Sequence, residues 1–540
     1  MPSPFTPSWR AALIAAPLAL VLSACAGGGG AAAPAPSVSA ASADDRPVKK
    51  GGTVTVGLSA DPGSLDPSSA TTFYSRQVFV NLCQKLYDID EKSTLVPQLA
   101  SAMPEVSDDG KTMTIKLRTG VKFNDGTPFD AAAVKKSLDR HRTWEKSTRA
   151  SELAQVKSVD VVDPETVKLE LAQPYTPLTS LLADRSGMIM SPKALDAEGD
   201  DFGTNPVCVG PFKYTSRTSG SEIVLDKSAD FYDADKVNLD KIIYKIIVDP
   251  NVRAANLKSG DVQVADSLAT TTVAGVQNDP NLKVVSGGGL GYYGFSVNIG
   301  NVSGSTEKYG PVDSPLGKSP ELREAFELSL DREAINKTVY NGLHQPDCFP
   351  IPLDSPYRSA SLTCPKRDVA KAKQLVAASG VQTPIPVTLT APNDATNQRL
   401  AEVIQQMVKE TGFNVSVQTA EFVSTLEQGN AGDFQVLLNG WSGRIDPDGN
   451  LNNMINTGGS NNYGGISDPV IDDSLKAAAA ASDPAERSDL YAKALQKAAE
   501  LRGFIYLYHN KYYLGMNKSI AGVDYYEDAL PRLANAGYAQ

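Results

Sequence analysis

The segment GWSGRIDPDGNLNN, residues 440–453, gathers side chains that could do chemistry: Trp441, Arg444, Asp446 and Asp448. Two carboxylates two positions apart could form an acid–base pair, hold a calcium ion, or face a ligand beside an arginine. Calcium does not fit. With Asp446, Asp448 and Gly449 in a calcium-loop register, the first and twelfth positions are Arg444 and Ile455. One aspartate and the bidentate glutamate are therefore missing. Catalysis has little support either. The three histidines, His141, His344 and His509, stand in no metal-ligand or nucleophile motif. Gly-Lys-Ser at 317–319 lacks the first glycine of a phosphate loop, because Val312 holds that place. No metal, cofactor or catalytic residue is expected, and an exported hydrolase using Asp446 and Asp448 is the enzymatic alternative.

The chain ends and the composition narrow what these residues serve. MPSPFTPSWRAALIAAPLALVLSAC carries Arg10 and then a fourteen-residue apolar and small-residue run, 11–24. That run is too short to span a bilayer and fits a secretory signal, 1–24. Its end, LSAC, resembles the lipobox of bacterial lipoproteins, which implies cleavage before Cys25 and a diacylglycerol on its thiol. An ordinary signal peptide with a chance cysteine is the alternative. Residues 25–50 are small and polar, a composition that buries no core and reads as a flexible tether of about 25–30 Å reach. A net charge of −11, with 41% hydrophobic and 21% charged residues, argues against nucleic acid as a partner. About 490 residues remain, more than one core usually takes, so two or more lobes are expected. Cys83, Cys208, Cys348 and Cys364 allow three disulfide connectivities. The proline-punctuated loop between Cys348 and Cys364 favours that pair and leaves Cys83 with Cys208; four buried thiols are the alternative.

Elements that could position the segment follow from periodicity. Alternating Val54, Val56 and Leu58 predict a strand, and 75–90 has helical spacing. Residues 112–123 and 156–174 read as strands, with a helix at 128–142 that Asp130 would cap. One helix is expected over 320–340, another over 398–412, and β structure returns at 504–515. Helices alternating with strands from 250 onward argue for parallel α/β sheets.

The ordered segments GGTVTVGLSADPGSLDP, LVPQLASAMPEVSDDGKTMTIKLRTGVKFNDGTPFDAAAVKKSLDR, NPVCVGPFKYTS, GFSVN, LREAFELSLDREAI and GWSGRIDPDGNLNN resemble the peptide-type solute-binding proteins of ABC importers, family 5. The likeness runs from about residue 51 to the C-terminus. It implies an α/β bilobed binding-protein fold with an extra inserted domain and a double-crossing hinge. Lobe I would comprise 51–89, 206–286 and 506–540, the inserted domain 90–205, and lobe III 287–505. It also implies a lipid-anchored monomer in the periplasm or on the outer face of the cell membrane. Such a protein would capture a peptide or peptide-like solute and pass it to the permease, with an oligosaccharide, opine or other anionic solute as the alternative.

By the same resemblance Trp441 walls the cleft. Peptide binders of the family commonly carry an aspartate three residues after that tryptophan, to hold the peptide ammonium; here it is Arg444. An ammonium about 4 Å from this guanidinium would cost roughly 4 kcal/mol at an effective dielectric of 20. Arg444 could instead receive a ligand carboxylate or phosphate, pair with Asp446 or Asp448, or point away. Family position adds Pro62 and Gly63 in SADPGS, and Phe73 and Tyr74 in TFYSR, which ends at Arg76. It also adds Tyr293, Asn298, Asn461, Asn462 and Tyr463.

The anchor is directly testable. Cys25→Ser should release the protein from membranes without altering its fold; a variant that still pellets with membranes after a high-salt wash would exclude lipidation there.

Overall fold

The computed structural model describes Val38 and residues 44–540. The signal 1–24 and Cys25 lie outside the described residues. Two large sheets organise the chain. The first runs, edge to edge, Leu282–Gly287, Tyr512–Asn517, Val264–Ala265, Thr53–Leu58, Lys241–Ile246, Glu222–Lys227 and Phe212–Thr218. The second runs Gln345–Pro346, Phe504–His509, Tyr292–Val297, Val436–Trp441, Ile385–Pro392 and Phe413–Ala420. A separate four-stranded antiparallel sheet, built from Glu105–Val106, Thr112–Lys116, Val156–Asp163 and Thr166–Leu171, falls within the inserted stretch.

Both large sheets are mixed rather than parallel. Thr53–Leu58 lies parallel to Lys241–Ile246 and Val264–Ala265, and Ile385–Pro392 parallel to Phe413–Ala420 and Val436–Trp441. In the second sheet the helices Ala395–Lys409 and Phe422–Ala431 provide the long crossovers that parallel pairing requires. Strands entering or returning at the crossings pair antiparallel. Val54, Val56 and Leu58 are fully buried, as their alternation predicts, and the Asp130 carboxylate accepts from Ala133 N at 2.9 Å.

Two expected helices are shorter. The first spans Phe73–Leu82, and Tyr87–Ile89 is a strand; Cys83 already has extended backbone where it is tied to Cys208. The stretch 320–340 is two helices, Pro320–Leu328 and Arg332–Tyr340. Asp331 breaks it by capping the second, accepting from Ala334 N at 2.9 Å. The tether expectation also ran too far. Lys49 N donates to Tyr538 O at 2.7 Å and Gln540 N to Pro47 O at 2.9 Å, so 44–50 is fastened to the C-terminal residues.

The chain passes twice between the large sheets. Leu282–Gly287 pairs in the first sheet and Tyr292–Val297 in the second; Phe504–His509 pairs in the second and Tyr512–Asn517 in the first. The return therefore lies at Asn510–Lys511. Residue 506, where the lobe boundary was expected, falls inside a second-sheet strand, because FIYLYHNKYYLG reads as one β run. Gly288 adopts φ +84°, and a Cβ there would sit 2.6 Å from the Tyr512 ring. The two crossings are packed on each other, and only glycine fits.

Cys83–Cys208 and Cys348–Cys364 are both joined. With a separation of 16, Cys348–Cys364 should contribute about 3 kcal/mol on chain entropy, and Cys83–Cys208, with a separation of 125, about 5 kcal/mol. Denaturant unfolding of the two double-serine variants checks the order; an equal loss would contradict the loop-length account.

Candidate functional site

The strand Val436–Trp441 sets Trp441 opposite Tyr292, the first residue past the crossing. Gly443, at φ +83°, then passes so close that a Cβ would lie 2.2 Å from the Leu290 carbonyl carbon. Asn450 clamps the turn: its Oδ1 accepts from Arg444 N at 2.6 Å and its Nδ2 donates to Arg444 O at 2.8 Å. Trp441 Nε1 donates to Gly449 O at 3.0 Å, and the Arg444 guanidinium lies 4.9 Å from the indole centroid. These contacts hold the turn together from within the loop itself.

Arg444 pairs with neither neighbouring aspartate. Its Nε lies 2.9 Å from Asp184 Oδ2, out of hydrogen-bond alignment, while Arg76 Nε donates to Asp184 Oδ1 at 3.1 Å. Asp446 is taken by Arg487, which reaches both of its oxygens at 2.8 Å. Asp448 accepts from the Tyr175 hydroxyl at 2.7 Å. Burial, and then the Asp446 charge, push the Asp448 carboxyl up to about 7. Pro447 separates the two acids into different partnerships, and both are buried.

Further guanidiniums surround Asp184. Arg185 Nη1 donates to Ala70 O at 2.7 Å, and Arg149 Nη2 reaches the same oxygen at 3.4 Å. Arg149 also pairs with Glu152. Burial pushes Asp184 up, but Arg76, Arg444, Arg185 and Arg149 hold it well below the usual carboxylate range. Sequence reading missed Asp184, Arg185, Arg149, Glu152, Arg487 and Tyr175. The one available signal was Asp184-Arg185 inside the otherwise apolar LTSLLADRSGMIM.

Other expected residues divide into two places. Phe73 stacks on Tyr512 at 4.8 Å with Tyr74 at its edge, 6.1 Å away. Tyr293 stacks on Tyr508 at 5.8 Å and donates to Asn397 Oδ1 at 2.7 Å. Burial, followed by Tyr340, Asp394 and Tyr74 of the facing lobe, pushes the Tyr293 hydroxyl well above its usual range. Pro62 O accepts from Thr72 Oγ1 at 2.8 Å; exposed Gly63 accepts from Arg217 at 2.6 Å.

Asn298, Asn461 and Tyr463 belong elsewhere. Asn298 follows the far end of Tyr292–Val297, roughly 20 Å from the crossing at strand rise. Its amide donates to Asn301 O at 2.8 Å and Gly432 O at 3.0 Å. Asn301 in turn donates to Tyr463 O at 3.1 Å; Tyr463 packs with Phe434 and Leu437, and Asn461 Nδ2 donates to its hydroxyl at 3.2 Å. Asn462 is buried and bonds backbone at Asn456 and Ile466. These residues brace a loop because the helix Asp448–Ile455 carries the chain away from Trp441. Among the described residues, Asp347, Cys348 and Cys364 group as possible metal ligands, but the disulfide leaves no thiolate to bind one.

Asp448 generates a pH prediction. Because its folded value is raised, its contribution to stability is full below about pH 4 and lost as pH rises through about 7. The range corresponds to about 4 kcal/mol. Asp448→Asn keeps an acceptor for Tyr175 and should flatten the fall in melting temperature between pH 4 and 8. An unchanged slope would contradict the assignment.

Comparison with known proteins agrees with this architecture. Residues 94–463 match the bacterial extracellular solute-binding proteins, family 5. The glutathione-binding protein GsiB of Salmonella choleraesuis (strain SC-B67) is 30% identical over 454 residues, 82% of this chain and 86% of its own. The binding protein AgaA of A. tumefaciens R10, solved with agropinic acid, superposes with a TM-score of 0.78 at 28% identity, covering 91% of this chain and 99% of that one. The oligopeptide-binding protein AppA of Bacillus subtilis, solved with a nonapeptide, gives a TM-score of 0.80 at 25% identity, covering 92% and 100%. The chain belongs to the family 5 extracellular solute-binding proteins, which serve ABC transporters for peptides and related solutes.

Proposed function

We propose that this protein is a lipid-anchored, monomeric receptor that captures a peptide or peptide-like solute between its lobes and delivers it to an ABC permease. It acts by binding, with no turnover. The observation that carries this reading is the convergence of side chains from both lobes beside the two crossings. Phe73, Tyr74 and Tyr512 come from one lobe, Tyr293, Tyr508 and Trp441 from the other. Aromatic faces with a few placed polar groups suit a small organic solute. The segments Gly288–Gly291 and Asn510–Lys511 supply the hinge, since each carries the chain between sheets without belonging to either. Cys25 would carry the lipid, leaving the lobes free to close below the tether. GsiB is named for glutathione and AppA is solved with a nonapeptide, which supports a peptide-like solute, while AgaA, solved with agropinic acid, supports the opine alternative.

Thermal shift and small-angle scattering on the mature chain test this. Glutathione, di- and tripeptides are the probes. A bound solute at 100 times its dissociation constant should stabilise the protein by about 2.7 kcal/mol and reduce the radius of gyration. If no probe does either, and protein purified from its own host carries no small molecule in native mass spectrometry, the reading is wrong.

A further inference from the structure

Four guanidiniums and two carboxylates occupy one buried volume. Asp184 is shared by Arg76 and Arg444, the Ala70 carbonyl by Arg149 and Arg185, and Glu152 pairs with Arg149. This leaves an excess of two positive charges among the six groups. The four arginines are only 5%, 4%, 2% and 6% exposed (Arg76, Arg149, Arg185, Arg444). Each has a buried nitrogen without a hydrogen-bond partner: Arg76 Nη1, Arg149 Nε, Arg185 Nε and Arg444 Nη2. Buried polar groups are otherwise nearly always satisfied, and charged ones are paired.

The cluster is assembled from separate parts of the chain. Arg76 stands on the helix Phe73–Leu82, whereas Arg149 and Arg185 come from the inserted stretch. Arg444 comes from the loop that follows a second-sheet strand. Closing the lobes therefore drives a fourth guanidinium against three others, with Asp184 as the shared counter-charge. Closure without a further anion is opposed by that repulsion.

We propose that this cluster is the anion subsite of the solute, and that the solute carries two carboxylates held by Arg76, Arg149, Arg185 and Arg444. This deepens the solute-binding reading and rests on it. Planar guanidinium forks match carboxylate oxygens, and the four unpartnered nitrogens carry six N–H groups between them, enough to engage the oxygens of two carboxylates. The solute's charge then becomes the condition for closure, since the dianion cancels the excess that opposes it. Burial, and after it Arg149, Arg444 and Arg76, push the Arg185 guanidinium well below its ordinary value, against the pull of Asp184. A guanidinium stays protonated in proteins, so that direction records first the cost of burying its charge and, after it, the neighbouring guanidiniums.

Calorimetry and thermal shift on the mature chain test the subsite with succinate and sulfate, against succinamide and the neutral dipeptide Ala-Ala. Succinate should bind and raise the melting temperature, and succinamide should do neither. Arg444→Gln and Arg185→Gln should each weaken succinate by about 10- to 100-fold. Without succinate, Arg444→Gln should melt no lower than wild type, because Asp184 keeps Arg76 and one repulsive charge is gone. The proposal is overturned if succinate fails to bind or succinamide binds equally well. It also falls if Arg444→Gln lowers the ligand-free melting temperature while leaving succinate affinity unchanged, the mark of a brace. Sulfate binding as tightly as succinate would overturn the carboxylate assignment. If Ala-Ala binds and compacts the protein in scattering while succinate does not bind, solute capture stands and the subsite falls. If succinate binds without compaction, the subsite stands and closure falls.

Discussion

Asp184 lies between two guanidiniums from distant parts of the chain, Arg76 at 3.1 Å and Arg444 at 2.9 Å, with all three side chains buried. A charge taken out of water must find a partner nearby, and removing one member of a buried pair leaves several kcal/mol uncompensated. The carboxylate therefore ties the helix Phe73–Leu82 to the inserted stretch through Arg76, while Arg444 of the tryptophan loop shares it as the fourth guanidinium of the cluster. Tyr175 strengthens the same joint by donating to Asp448, and Thr176 N donates to Ala479 O at 2.8 Å. The inserted stretch thus packs directly against the second-sheet lobe at these contacts.

Around that joint, polar demand is met locally so that the loop needs no solvent. Asp446 goes to Arg487 and Tyr491, Asn450 to the Arg444 backbone, and the Trp441 indole to Gly449. What remains unpartnered in the cluster is one nitrogen on each of the four arginines and Asp184 Oδ2. That contrast separates side chains that build the site from those left with capacity to hold something. Preorganisation of this kind lowers the ordering cost of binding.

The crossings are short, and Gly288 packs against Tyr512 so tightly that a methyl group would collide. Among the described residues neither large sheet shares a hydrogen-bonded strand pair with the other, so these two segments are where the chain itself joins them.

Local chemistry made much of this legible in the sequence. Alternation placed Thr53–Leu58, a capping aspartate placed the start of Ala131–Thr143, and the ordered segments identified the family and the bilobed fold. These follow from rules that act over a few residues or over a linear pattern. Where a local competitor intervened, such as Asp331 capping a new helix inside 320–340, the period alone misled. The assignment of each half of FIYLYHNKYYLG to a different sheet was invisible, since both halves are good strands and pairing is decided by distant partners. The same limit governed the site. Trp441 and Arg444 stood out by type, but Asn298, Asn461 and Tyr463 proved to brace a remote loop. Asp184 was hidden among apolar residues 260 positions from Arg444. Sequence spelled out which side chains were available; only tertiary structure decided which charges would share a buried volume, because electrostatic partners are set by distance in space and by exclusion of water.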